Sequence, residues 1–385
     1  MKVKDIDRSM DVYSPWKTLW HMKDIEAVKK GNLFPPKNIQ LDLEGWCPHD
    51  CKFCSYRNAN FEKVGMQFFK KEWADMDKIK FGQQGVPKGK LIPEVSGMKK
   101  EIALSLPKQF HEAGVKSVEI TGGGESLAYP YISEFFDELA KYDIELAVVT
   151  NGHLFTPKLQ DKIKKMRWLR FSVDAATSLT YSKVHGIPGS VFEYVIKQIK
   201  NCIGRWQGCR LGISYIIVPE NVNEIAQAAK FFKEMGVDNI RFSFCYDSSD
   251  YGGGRLTKEQ RREAEMQLIE AKKIEDHTFK VFGSIQRLSH YAIGNTDFNF
   301  CGYMLFTWSI GYDGLVYPCC IVKYHPEFAF GDLKKNTLKE IVHSKERREY
   351  MDKFDVRKCK PCWLRDKNKF IEYLFADNPE HINFP

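Results

Sequence analysis

The run Asn38-Ile-Gln-Leu-Asp-Leu43, followed by Cys47-Pro-His-Asp-Cys51-Lys-Phe-Cys54, decides how this chain is read. The first part is short, apolar and alternating, as a β-strand is. The second sets three cysteines at C-x3-C-x2-C spacing just past the strand end. Three thiolates can hold three irons of a [4Fe–4S] cube and leave the fourth iron open. A structural zinc site needs four closed ligands, and the fourth would come from elsewhere, with His49 the nearest candidate. The spacing leaves both chemistries open. The place at a strand end favours iron–sulfur, because reactive groups of parallel barrels gather at the C-terminal strand ends.

Outward from this point the chain alternates. Strands are expected at 38–43, 117–121, 145–150, 169–173, 211–218 and 240–245, with amphipathic helices at 99–113, 132–141, 157–166, 191–203 and 223–235. Thr156 and Pro157 give the third helix an N-cap and a first turn, and Gly236 ends the fifth. Strands alternating with helices of this length imply βαβ units and a parallel sheet. Six such units predict an α/β fold, a partial (β/α)6 TIM-like barrel. The expected organisation is an N-terminal extension over 1–37, the barrel over 38–250 with an insertion at 55–97, a linker and helix over 251–279, and a cysteine-containing module over 280–385.

The whole chain has 385 residues, 28% of them charged, and a formal net charge of +8. Its 43% hydrophobic content suits a globular chain rather than a disordered one. No apolar run reaches the roughly 20 residues that a bilayer crossing takes, and the charged N-terminus lacks a signal peptide's apolar core. A cytoplasmic, membrane-free protein is expected. Eleven cysteines in such a chain point to metal or redox chemistry before disulfides. Between Gly331 and Phe370 stand 13 Lys/Arg against 7 Asp/Glu. That segment is either a solvated helical face or a site for phosphate or nucleic acid.

C-x3-C-x-aromatic-C after the first strand resembles the radical S-adenosylmethionine (SAM) superfamily, and further landmarks follow in order at successive strand ends. Gly122-Gly123-Gly124-Glu125 is similar to the family's GGE turn, whose backbone meets the methionyl amine of SAM. Thr150-Asn151-Gly152 follows the third strand. Ser172-Val173-Asp174-Ala175 resembles the segment near the ribose and carboxylate, and the stretch around Val218, Ile217–Asn221, the one that packs on adenine. The resemblance covers about 38–247. It implies a cluster on Cys47, Cys51 and Cys54, SAM as cosubstrate, Phe53 beside the cluster or the adenine, and an external electron donor such as a flavodoxin or ferredoxin. It also implies reductive cleavage of SAM to a 5′-deoxyadenosyl radical that takes a hydrogen atom from the substrate.

The C-terminal part offers Cys301, then Gly314-Leu-Val-Tyr-Pro-Cys319-Cys320, then Gly331-Asp-Leu, then Cys359-Lys-Pro-Cys362. By spacing alone this is a zinc ribbon or a second cluster. It resembles the SPASM/Twitch auxiliary domains attached to radical SAM barrels, which implies a second [4Fe–4S] cluster on Cys301, Cys319, Cys359 and Cys362. Cys320 is a surplus thiol, and core packing is the default for Cys202 and Cys245. Tyr246 and Asp247, at the end of the last barrel strand, are the candidate catalytic groups, and His185 follows the fourth strand, where it could line the mouth, although a loop histidine usually faces solvent.

The function read here is a radical SAM enzyme, of oxidoreductase or isomerase type, acting on a small polar or nucleotide-like substrate, with oxidation favoured over rearrangement. A peptide or protein maturase is the alternative within the superfamily. A zinc-binding nucleic-acid module is the non-enzyme alternative. Only 37 residues precede the first strand, which speaks against leader-peptide recognition by a separate domain.

Overall fold

A computed structural model describes residues 14–51, 53–54, 97–245, 256–283, 297–359, 362 and 364–376. Strands β1 (Asn38–Leu41), β2 (Ser117–Ile120), β3 (Glu145–Thr150), β4 (Met166–Ser172), β5 (Arg210–Ile217) and β6 (Asn239–Phe244) lie side by side in chain order, all parallel. Two more parallel strands flank the expected six. β7 (Lys280–Phe282) pairs with β6, and β8 (Thr307–Ile310) pairs with β1. From β8 the sheet turns antiparallel through β9 (Leu315–Tyr317) to β10 (Gly331–Asp332). The order is β10-β9-β8-β1-β2-β3-β4-β5-β6-β7, so the sheet stays open among the described residues. It also runs across residue 280, where the sequence suggests a boundary.

Alternation along the strands separates two faces. Ile39, Leu41, Val118, Ile120, Leu169 and Phe171 are fully buried under the helices. Gln40, Glu119 and Arg170 sit one step off this set and point to the other side. There Ser309 Oγ donates to Gln40 Oε1 (3.2 Å), and Gln40 Nε2 to Glu119 Oε2 (3.1 Å). The inner wall of the curved sheet is thus polar.

Local chemistry explains the helices. Lys100–Ala113 buries Ala103, Leu106, Phe110 and Ala113, spaced three or four apart, and stops at Gly114 in the left-handed region (φ 84°). Thr156 caps Pro157–Lys162 as expected, its side chain accepting from Leu159 N. That helix is a turn shorter than expected, because β4 starts at Met166 rather than at 169. The helix Ser178–His185 was not anticipated: eight residues with only a weak apolar stripe.

The flanking strand β8 is held by Trp308, 1% exposed. Its indole donates to Met304 O (2.8 Å), and the buried Arg347 guanidinium lies 4.6 Å from its ring. Trp308→Ala is expected to lower stability by about 3–5 kcal/mol, the range for deleting a buried large aromatic. Denaturant unfolding checks this; an unchanged midpoint would mean that β8 is not part of the cooperative sheet.

Candidate functional site

The first cysteine cluster and the motifs Gly122–Glu125, Thr150–Gly152, Ser172–Ala175 and Ile217–Asn221 gather at the C-terminal ends of β1 to β5. The turn Gly122–Glu125 after β2 lies directly on the backbone that leads from β1 to the first cysteines. Gly124 N donates to Glu44 O (2.8 Å) and Glu125 N to Trp46 O (2.8 Å). A Cβ on Gly124 would stand 2.1 Å from Trp46 O, so no other residue fits without moving backbone.

Glu125 is 3% exposed, and its carboxylate is taken up by the protein itself. Oε1 accepts from Thr150 Oγ1 (2.9 Å) and Leu127 N (3.1 Å), and Oε2 from Asn151 N (2.8 Å). The side chain therefore stitches the ends of β2 and β3 together. Burial outweighs these bonds and pushes the carboxyl up to about 7.

The three cysteines lie within reach of one another's charge. Burial above all raises Cys47 and Cys51 beyond the ordinary thiol range; for Cys51 the neighbouring Cys54 and Cys47 add to it. Such thiolates demand positive charge nearby, which iron supplies, and three sulfur donors suit a cube with one open iron. Asn151 Nδ2 stands 3.6 Å from Cys47 Sγ, and Phe53 lies edge-on to His185 with ring centroids 6.4 Å apart.

His185 is a correction to the sequence reading. It is 1% exposed, at the end of Ser178–His185, with Nδ1 3.1 Å from Cys51 Sγ and 3.2 Å from His49 Nδ1. Its Nε2 meets Val173 O (2.8 Å) and Asp174 Oδ2 (3.3 Å). The reason is a close approach at Gly186 (φ 63°), where a Cβ would fall 2.7 Å from Asp50 O, while Asp50 N donates to His185 O. The cysteine loop is docked on that helix end. The ligand atoms of His49, Cys51 and His185 all lie within 4.8 Å of one another, so geometry alone also admits a single ion.

Asp174 serves the protein too. It sits at φ 56°, Oδ1 accepts from Ile216 N (2.5 Å), and its carbonyl accepts from Asn221 Nδ2 (2.8 Å). Burial pushes its carboxyl up to about 7. Val218 is buried, its N–H donating to Asn221 Oδ1 (2.8 Å), and Ser172 is half-buried beside Ser214 of β5. Tyr246 and Asp247, like residues 55–96 of the insertion 55–97, lie outside the described residues.

The structure brings the second cysteine set to one place. Cys301, Cys319, Cys359 and Cys362 line one small apolar pocket together with Phe298, Tyr303 and Val356. Four sulfurs around one cavity fit a fully ligated cluster. Cys320 is absent from that lining; the charges acting on it are Lys323, Glu119 and Asp42. Of the unassigned thiols Cys202 is buried and Cys245 half-buried. Part of the basic segment is spent internally: Arg347 binds Val342 O and Phe34 O, Lys345 and Lys353 pair with Glu349, and Arg365 and Lys369 with Asp297.

Sequence reasoning missed Asp42, Lys323 and Tyr324. Asp42 and Lys323 form a buried ion pair beside the Gly122 turn. The signals were a charged residue in the first strand segment and a lysine in an apolar run.

A family model described as the radical SAM superfamily matches residues 44–232, and one described as an iron–sulfur cluster-binding SPASM domain matches 301–363. The chain is 28% identical over 123 residues to the AdoMet-dependent heme synthase of Methanosarcina barkeri, covering 31% of this chain and 34% of that protein. It is 25% identical over 234 residues to the antilisterial bacteriocin subtilosin biosynthesis protein AlbA of Bacillus subtilis, 60% of this chain and 50% of that one. These matches span half or less of the relatives' length. Among solved structures it resembles Streptococcus suis SuiB bound to precursor peptide SuiA (TM-score 0.59, 14% identity, 89% of this chain and 73% of that one). It also resembles anSMEcpe with bound AdoMet (TM-score 0.52, 16% identity, 82% and 83%). Both share the fold. No helix among the described residues is long and apolar enough to cross a membrane. Radical SAM domains bind a [4Fe–4S] cluster and SAM, and SPASM domains bind auxiliary iron–sulfur clusters, which decides between the iron–sulfur and zinc readings.

Two outcomes are expected. Cys301→Ala with Cys319→Ala should lower reconstituted iron by about four per chain, whereas Cys320→Ala should leave it unchanged. Iron analysis reads both. The raised Glu125 carboxyl keeps its proton in the folded state, so its contribution is present below pH 4.5 and lost as pH rises towards about 7. The unfolding midpoint of the metal-free protein should therefore fall less over that window in Glu125→Gln than in the wild type.

Proposed function

Because the chain belongs to the radical SAM superfamily and carries a SPASM iron–sulfur domain, we propose that it reductively cleaves SAM and abstracts a hydrogen atom from a polar substrate at the strand ends. One observation carries this reading: the half-buried Cys47, Cys51 and Cys54, the Gly122–Glu125 turn and the ends of β3 to β5 are linked by contacts and hydrogen bonds into one site. A [4Fe–4S] cluster held by the three cysteines would supply the electron that splits the sulfonium bond of SAM. The protein's part is orientation and exclusion of water. Glu125 fixes the turn and Thr150 and Asn151 against each other, so the backbone of Gly122–Gly124 is preset for the zwitterionic end of SAM. Asp174 and Asn221 lock the ends of β4 and β5, where Ser172 and Val218 would face ribose and adenine.

The substrate would enter along the polar inner wall. Gln40, Glu119, Arg170 and Ser309 suit a hydrogen-bonding group rather than an alkyl chain. Two carriers of that group are proposed. A peptide side chain is favoured by the comparisons, since AlbA is a bacteriocin biosynthesis protein and SuiB is seen bound to its precursor peptide. A free small polar or nucleotide-like molecule is the second carrier, which the polar wall of Gln40, Glu119, Arg170 and Ser309 would suit equally. The four-cysteine pocket, whose thiols would hold an auxiliary cluster able to accept an electron, supports oxidation over a redox-neutral rearrangement.

Replacing Cys47, Cys51 and Cys54 together by Ala should abolish formation of 5′-deoxyadenosine from SAM under reducing conditions. Persistent cleavage by that variant would defeat the reading. With a deuterated substrate, one labelled 5′-deoxyadenosine per product supports oxidation, and a large excess of product supports rearrangement.

A further inference from the structure

Lys323 is the one lysine buried among the described residues, and the preceding reading leaves it unexplained. It is 2% exposed, yet it stands four residues after Cys319, on the segment that follows β9. Its Nζ donates to Gly122 O (2.9 Å), the first carbonyl of the turn after β2, and pairs with Asp42 Oδ2 at the end of β1. Asp42 is fully buried and also accepts from the Tyr324 hydroxyl (2.8 Å).

Two further features show that this contact is built in. Tyr324 is held at φ 65°, a region that a bulky side chain rarely adopts, and such outliers persist where the surroundings dictate them. Its hydroxyl would stand 2.8 Å from a Cβ on Gly123, and Asp42 Oδ2 3.2 Å, so the middle glycine of the turn makes room for the clamp. The chain tolerates an unfavourable backbone geometry and a desolvated ion pair to bring residues 319–324 onto Gly122 and Gly123.

We propose that Lys323 is a positioning residue for SAM: it grips the Gly122 carbonyl, orients the backbone of the turn towards the ligand, and makes that orientation depend on the docking of the auxiliary-cluster segment. A peptide plane turned by a charged hydrogen bond on its carbonyl has its neighbouring N–H groups fixed as well. Asp42 neutralises the ammonium where water cannot, and Tyr324 holds Asp42 in register. The inference rests on the reading of Gly122–Glu125 as the SAM-binding turn. It adds that the turn is completed by a residue about 200 positions away, next to a ligand of the other cluster.

The test uses the full chain, reconstituted with iron and sulfide, and reads iron content, KM for SAM and kcat of SAM cleavage. Lys323→Met should raise KM about tenfold with a smaller change in kcat and undiminished iron. Lys323→Arg, which can still reach a carbonyl and a carboxylate, should recover most of that loss. Because Lys323→Met leaves Asp42 buried without its partner, the double variant Asp42→Asn, Lys323→Met removes both charges, and it should show the same rise in KM. A wild-type KM in the double variant would overturn the proposal, as would iron loss with KM unchanged in the loaded fraction. These results differ from failure of the underlying reading, in which the Cys47, Cys51, Cys54 triple variant would still cleave SAM, or the wild type would not, and both inferences would fall together.

Discussion

The turn Gly122–Glu125 packs backbone to backbone on Glu44–Trp46, with no space for a single methyl group at Gly124. The rest of the site hangs on this contact. It fixes the approach of the chain to Cys47, and through Glu125 it ties in the end of β3, whose Asn151 stands beside the Cys47 sulfur. The cysteine loop is fastened at its other end by Gly186 and Asp50, again a backbone approach that only glycine permits. Two glycines, 62 positions apart in sequence, thus hold the loop from both sides.

Burial sets the electrostatics. Asp42, Glu125 and Asp174 are each raised, to about 6, 7 and 7, mainly because water is absent. His153 and His185 are held down to about 4 for the same reason. A site so dry strengthens every charge interaction within it, and it would shield a carbon radical formed there, as proposed, from solvent hydrogen donors. The carboxylates that looked available for ligand contact are instead bonded to backbone N–H groups of the protein. A ligand bound there, as proposed, would meet backbone and small side chains, which hold a shape better than long side chains do.

The position of the C-terminal region follows from β8. It adds to β1 in parallel, so the chain between β8 and β10 is brought to the strand ends where the first cysteines lie. The four-cysteine pocket and the Gly122–Glu125 turn are then joined by the short run 319–324. The matched SPASM domain is therefore a continuation of the same sheet, which gives a physical route for the state of one site to be felt at the other.

Periodicity and punctuation in the sequence alone determined the six parallel strands, most of the helices between them, the two cysteine sets and the glycine turn. These are local signals: apolar alternation, Thr-Pro and Gly caps, and thiols at ligand spacing. Only the tertiary structure decided what Glu125, Asp174, His185 and Lys323 do. Glu125 and Asp174 face inward because backbone N–H groups from other strands reach them first. His185 is buried because a loop more than 130 residues earlier packs on its helix end. Lys323 finds Asp42 only once β8 has joined β1. A side chain's type is written in the sequence, but its partners come from segments that folding brings together, and in a buried site the partners settle whether a charged group binds a ligand or holds the protein in place.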